Sequence, residues 1–347
     1  MDARGRRIGG NTNVVNIYDV AKQSGVSIAT VSRVLNGSAK VRPVTAARVH
    51  AAMNELSFSP NIFAQSLQTN SMRVLTVLTV DISDVYFAVA VQEIEQQARE
   101  RGYDVQVSFA RDDLEDQAAR LTSLLHKRVD GIILAGSSFA RVDNPLVRKV
   151  ARRTPVALLN GQLDGEGIYS VVSDDGAGIK LAVEHLVAQG RRKLVYVQDS
   201  SNAAALAKAK GYRDAASSHG IDVVVLDCAQ GVEPAQELLA SHWDRLGVVD
   251  GIVCAEDPLA IGAIKHLSAR GLQVPADVAV TGYDNLSVAT YSSPELTSVD
   301  GRVRDVSRTV ADVLIDKLEG ETPPALTTFT PTLKAVSYTH LTLPTKA

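Results

Sequence analysis

Polar side chains stand at the ends of apolar runs along most of this chain, and their types suit the capture of a hydroxylated molecule. VLTVLTV (74–80) leads into DISDVYF (81–87), which sets Asp84, Tyr86 and Phe87 just past its end. PVALLN (155–160) ends on Asn160 and YSVVSD (169–174) on Asp174. DGIVCA (250–255) is followed by Glu256, and DVAVTGYD (277–284) ends on Asp284. A carboxylate accepts two hydroxyl hydrogen bonds side by side, and an aromatic ring suits the apolar face of a polyol ring. A second role is open to each Asp, because Asp at a strand-to-helix junction is a good helix cap. Residues 16–36, NIYDVAKQSGVSIATVSRVLN, carry a different chemistry. They read as two short helices about a tight turn, with Asn16 and Ser27 as N-caps and Gly25 as the left-handed stop. Val31, Val34 and Leu35 turn inward on the second helix. Ser27, Ile28, Ala29, Thr30, Ser32, Arg33 and Asn36 remain outside or at its start: small, hydroxylated or basic, with no acid among them. Such a face fits the major groove of duplex DNA, with its N-terminal residues at base edges and its flanks on phosphates.

Elements that would position these residues follow from periodicity. VTAARVHAAMNEL (44–56) is a third amphipathic helix, with Val49, Ala52, Met53 and Leu56 on one face, so three helices close a small core. Pro60 then breaks the chain, and IFAQSLQTN (62–70) follows as a short helical stretch. From residue 73 apolar strands alternate with amphipathic helices. Besides those quoted, DVQVSF (104–109), DGIILAG (130–136), KLVYVQD (193–199) and DVVVLD (222–227) read as strands. Continuous apolar strands with helical crossovers imply parallel sheets covered on both faces. This many strands suit two doubly wound lobes, with the chain passing between them near 170–176. A return near SPELTSVDG (293–301) would send RVRDVSRTVADVLIDKLEG (302–320) back to the first lobe as a helix. Ligands of such sheets bind beyond the carboxyl ends of the strands, here between the lobes.

Composition bounds the function. The chain has 347 residues, 45% hydrophobic and 22% charged, a globular balance too long for one ordinary domain. No apolar run approaches the length of a membrane-spanning helix, and MDARGRRIGGNTN (1–13) lacks the apolar core of a secretory signal. Cys228 and Cys254 have no metal-ligand or redox spacing and suit a reducing cytoplasm. The net charge is −3, but residues 1–70 hold eight Lys or Arg against three acids, a net +5. The other 277 residues carry 28 against 36, a net −8. A basic small domain on an acidic large one is the layout of a regulated DNA binder. Glycine-rich phosphate loops, the G-x-S-x-G elbow and paired metal-ligating histidines are missing, so the sequence predicts no enzyme, cofactor or metal.

NIYDVAKQSGVSIATVSRVLNG followed by ELSFSPNIFAQSL resembles the N-terminus of LacI-type (lac repressor family) transcription regulators. The motif order VA, GVS, TVSRVLN, SPN and A-x-SL matches, and the resemblance runs to about residue 335. It implies an all-α helix-turn-helix head plus an α/β two-lobed core of the periplasmic-binding-protein type I kind. The expected boundaries are a flexible basic tail (1–13), the head (14–60), a hinge helix and linker (61–72), the effector and dimerisation core (73–336) and an atypical tail (337–347). That last segment does not resemble the family's ending and is set aside as a frame-shifted or fused end. The resemblance further implies a cytoplasmic homodimeric repressor on operator DNA, controlled by a small effector in the cleft. The alternative is a sugar-binding receptor of the same fold without a regulatory role. In the family the hinge folds in the minor groove and its Leu pries a base step apart, a role that falls to Leu67 here. The family's D-x-x-N-P-F-F-like segment lines the cleft; here Asp84 replaces the Asn and the Pro is missing. Where the family grips its effector with an Arg, this chain has Lys208, a point charge instead of a bidentate fork. A neutral sugar ranks first as effector, a sugar phosphate or nucleoside next.

Overall fold

The computed structural model describes residues 15–35, 40–58, 71–127, 129–140, 145–199 and 201–336. Asn36, Leu67, most of the hinge and both expected tails lie outside them. The chain divides into two compact units, Met1–Met72 and Arg73–Ala347.

In the first unit, α1 (Ile17–Ser24), α2 (Ile28–Leu35) and α3 (Pro43–Glu55) enclose a core of Val20, Ala21, Val31, Val34, Val49 and Ala52. Local rules place each end. The Asn16 side chain accepts from the Tyr18 N–H, while Asp19 accepts from the Asn16 N–H, a reciprocal capping box. Gly25 ends α1 at φ 67, ψ 33, the left-handed region open to a residue without a Cβ. The Ser27 hydroxyl accepts from the Thr30 N–H at 3.3 Å and starts α2. The third helix begins at Pro43, one residue before the apolar periodicity, because a proline ring is preorganised for the first helical turn. Met53 and Leu56 pack on the core from its partly exposed rim.

The second unit contains two six-stranded sheets. The first has the order β11-β5-β4-β3-β1-β2 and the second β12-β10-β9-β8-β6-β7. In chain order, β1 is Val74–Thr79, β2 Asp104–Phe109, β3 Gly131–Ala135, β4 Val156–Leu159 and β5 Ile168–Ser173. β6 is Leu194–Gln198, β7 Val225–Asp227, β8 Gly251–Cys254, β9 Ala279–Tyr283 and β10 Thr297–Asp300; β11 is Leu326–Phe329 and β12 Thr332–Lys334. All pairings are parallel except β10 with β12. β3 and β4 are buried at every residue, as strands covered on both faces require.

The crossing of the chain between lobes is richer than periodicity suggests. Segment 293–301 does not return directly; it supplies β10 to the second sheet. Helix Val303–Leu318 then packs against β3, β4 and β5 of the first. β11 extends the first sheet beside β5, and β12 returns to the second beside β10.

Candidate effector cavity and DNA-facing helix

The carboxyl ends of both sheets open onto one cavity of about 350 Å³, at the small end of ligand-binding clefts. Asp84, Tyr86, Phe87, Asn160, Lys208, Glu256 and Asp284 all line it. They come from the ends of β1, β4, β8 and β9 and from helix Ala203–Ser218, so the fold gathers residues scattered over two hundred positions.

Each side chain has a definable setting. Asp84 caps helix Val85–Glu100 through Oδ1, which accepts from the Tyr86 N–H at 2.9 Å. Its other oxygen accepts from the Gln230 side chain at 3.1 Å, a bond that spans the two lobes. Tyr86 and Phe87 meet edge to face, with centroids 5.4 Å apart. Asn160 sits at φ 55, where Asn is tolerated, and its side-chain oxygen accepts from the Ser173 N–H at 3.0 Å. Lys208 is buried; its Nζ donates to the Ala255 carbonyl at 2.8 Å and lies 3.8 Å from the Tyr283 ring centroid. Burial lowers the Lys208 pKa, but Asp284, Asp175, Glu256 and Asp199 outweigh it and hold the ammonium above its ordinary value. Glu256 precedes helix Asp257–Ala269 without making a side-chain cap, which leaves its carboxylate to the cavity. Burial, then repulsion by Asp199, pushes the Glu256 carboxyl well up. Burial also raises Asp284, to about 7; Lys208 opposes this, and Asp257 and Asp175 add to it.

Asp174 departs from the sequence expectation. Its side chain accepts from the Ala177 N–H at 3.0 Å, capping helix Asp175–Ala188, and it is not among the residues lining the cavity. The capping role wins because an adjacent unsatisfied N–H is in reach and the cavity is not. Its neighbour Asp175 is the buried one, accepting from the Tyr283 hydroxyl at 2.9 Å. Lining residues that the sequence reading passed over include Asp199, Asn202, Gln230, Ser137 and Ser138. Asp199 ends the apolar run of β6, so the rule that singled out Asp174 and Asp284 reaches it too.

On α2 the exposed side presents Ile28, Ala29 and Arg33, with Thr30 and Ser32 half-buried. The Ser27 and Thr30 hydroxyls stand 2.9 Å apart at its start.

A capped helix-turn-helix head joined to a two-lobed α/β body with a polar cleft is the architecture of regulators built on a periplasmic-binding-protein-like core. Residues 16–61 match the profile of bacterial regulatory proteins of the lacI family. Residues 72–335 match that of periplasmic binding proteins and the sugar-binding domain of the LacI family. A transcriptional regulator of the helix-turn-helix type from Lachnoclostridium phytofermentans is 37% identical over 90% of this chain and 96% of its own. DegA of Bacillus subtilis is 28% identical over 84% and 87%. A crystal structure of the lac repressor dimer bound to operator and the anti-inducer ONPF superposes with a TM-score of 0.81, at 27% identity over 92% of this chain and 97% of that one. The chain belongs to the LacI family of transcription regulators. Among the described residues no helix is long and apolar enough to cross a membrane.

Proposed function

We propose that this protein is a homodimeric repressor whose hold on operator DNA is set by a small hydroxylated effector in the interlobe cavity. The carrying observation is the convergence of Asp84, Asn160, Lys208, Glu256 and Asp284 with two aromatics on one ligand-sized cavity. Related architectures support the reading. One similar structure is a regulator, CelR, in complex with cellobiose, 26% identical with a TM-score of 0.67. The lac repressor structure contains a dimer on operator DNA. Asp174 is left out of the proposed effector set, because it caps a helix.

For DNA, Ser27, Ile28, Ala29, Thr30, Ser32 and Arg33 are the proposed reading set. Asn36 and Leu67 are carried from the sequence alone. Ile28 and Ala29 open α2, where apolar side chains favour thymine methyls over hydrogen-bonded readout. Selection of bound fragments from a randomised half-site library tests this. Replacing both residues changes the preferred base pairs, whereas Arg33→Ala weakens binding by about 1–3 kcal/mol if its guanidinium reaches a guanine. An unchanged consensus in the double variant refutes the assignment. A thermal-shift screen of carbohydrates, repeated as an operator mobility shift, tests the effector half.

A further inference from the structure

The cavity is charged in one direction. Among the described residues that line it, Asp81, Asp84, Asp112, Asp199, Glu256 and Asp284 are acidic, and Lys208 is the one cation. That cation is engaged by the Ala255 carbonyl and the Tyr283 ring, with Asp284 and Asp175 close by. No salt bridge among the described residues reaches Asp84, Asp199, Glu256 or Asp284. Asp199 and Glu256 lie close enough to act on each other electrostatically, and both carboxyls are raised, by burial first.

We propose, building on the effector reading above, that the effector carries a protonated amine on a hydroxylated ring, an amino sugar or aminocyclitol. Its ammonium seats against Asp199 and Glu256. Burial is the leading cause that raises both of these carboxyls and Asp84; repulsion from Asp84 adds to it at Asp199 and Glu256, and repulsion from Asp81 adds to it at Asp84. A ligand cation reverses that repulsion, and a neutral sugar leaves it in place. A sugar phosphate would add to it.

An independent feature calls for the hydroxylated scaffold. Ser138, in the 3-10 turn Ser137–Ala140 after β3, is 5% exposed and lines the cavity, yet its hydroxyl has no hydrogen-bond partner. A buried polar atom without a partner is costly, and a ligand hydroxyl supplies one. Asn160, Asn202 and Gln230 extend the same polar lining. The described residues include no His, Cys, Asp and Glu group spaced to hold a metal ion, so an organic ammonium suits the cavity better than a bare divalent cation.

Matched probes decide the question on the full chain. Calorimetry compares glucosamine with glucose and N-acetylglucosamine, and galactosamine with galactose and N-acetylgalactosamine. Within each set the ring is constant and the charge is switched. At least one amine is expected to bind about tenfold or more tightly than both neutral partners, the advantage of a charge-assisted bond. Asp199→Asn and Glu256→Gln, two independent isosteric variants, reduce that preference to about threefold or less. A neutral sugar that binds as tightly as its amine overturns the proposal, and so does a panel in which no amine binds. Spermidine binding more tightly than every amino sugar overturns the hydroxylated scaffold. A neutral sugar that binds and releases operator sinks the charge assignment while the regulatory reading survives. A chain that selects no DNA sinks the regulatory reading, while calorimetry still judges the charge.

Discussion

Asp284→Asn should stabilise the unliganded protein, and the gain should grow with pH. The carboxyl is buried and displaced from 3.8 to about 7. A shift of about three units corresponds to about 4 kcal/mol by which the folded state disfavours the ionised form. The sign follows from linkage. Below pH 4 the group is protonated both folded and unfolded, and no penalty exists. Between pH 4 and 7 the unfolded chain releases the proton while the folded chain keeps it, so stability falls. Above pH 7 the whole penalty is present. Asn stands in for the neutral acid and tolerates the positive φ of 91 at this position. The variant should therefore gain up to about 4 kcal/mol at pH 8 and less than half of that at pH 5, or several degrees of Tm at the higher pH. Differential scanning calorimetry at both pH values reads the difference. Effector affinity should drop in the same variant, since a carboxylate oxygen has become an amide donor. A Tm gain equal at the two pH values, or a loss that deepens at pH 8, refutes the electrostatic account of the cavity.

Other parts of the molecule make separable predictions. Lys208→Met keeps the apolar stem but strips Asp284 and Asp175 of their cation. The expected loss is about 3–5 kcal/mol, larger at pH 8 than at pH 5, read from denaturant midpoints at both. A Cβ at Gly211 would lie 2.3 Å from the Gly176 carbonyl oxygen and 2.8 Å from its Cα. Gly211→Ala must therefore push helices Asp175–Ala188 and Ala203–Ser218 apart, lowering stability by about 1–3 kcal/mol or more, read from the denaturant midpoint; an unchanged midpoint would show that the contact yields freely. Burial pushes the Cys228 thiol up to about 11 and Cys254 well above its ordinary value. At pH 8 the native protein should react with a thiol reagent through about 1 in 1,000 thiolates at Cys228, whereas both cysteines react quickly in urea. Fast labelling of the native chain would contradict the raised Cys228 thiol and the burial of Cys254.

What could be read from the sequence depended on how local its cause was. Asn16, Gly25 and Ser27 act within four residues of themselves, so the ends of the head's first two helices were legible, although the reciprocal Asp19 bond to the Asn16 N–H was not singled out. Strands β3, β4, β8 and β9 announced themselves as apolar runs because both of their faces are covered, whereas β2 and β7, at the sheet edges, carry exposed residues and showed only through their β-branched runs. β11 and β12 gave no such signal. LTTF alternates exposed and half-buried, TLK likewise, and each is an edge strand of three or four residues held by a partner far away in sequence. The cavity was half legible for the same reason. Asp174 and Asp199 both end an apolar run, and nothing nearby in sequence separates them. The difference is that the Asp174 carboxylate finds the Ala177 N–H, whereas Asp199 finds Glu256, 57 positions on in the chain.

The acids of the cavity also stand on opposite sides of it. Asp84 follows β1 of the first sheet, whereas Asp199 and Glu256 follow β6 and β8 of the second. Asp84 raises the proton affinity of both Asp199 and Glu256 across the cleft. Repulsion along this direction favours separation of the lobes, and the Gln230 bond to Asp84 opposes it with a single neutral donor. A cation seated among the three would attract both sides at once. Its binding energy would then differ between an open and a closed cleft, which is the one condition under which a ligand can shift the balance between two arrangements of a protein. A neutral ligand would have to supply that difference from hydroxyl hydrogen bonds alone, against charges that continue to push the lobes apart. On the proposed reading, the acidity of the cavity would bear on the response as well as on recognition: the same carboxylates that select a cation would make closure depend on its presence.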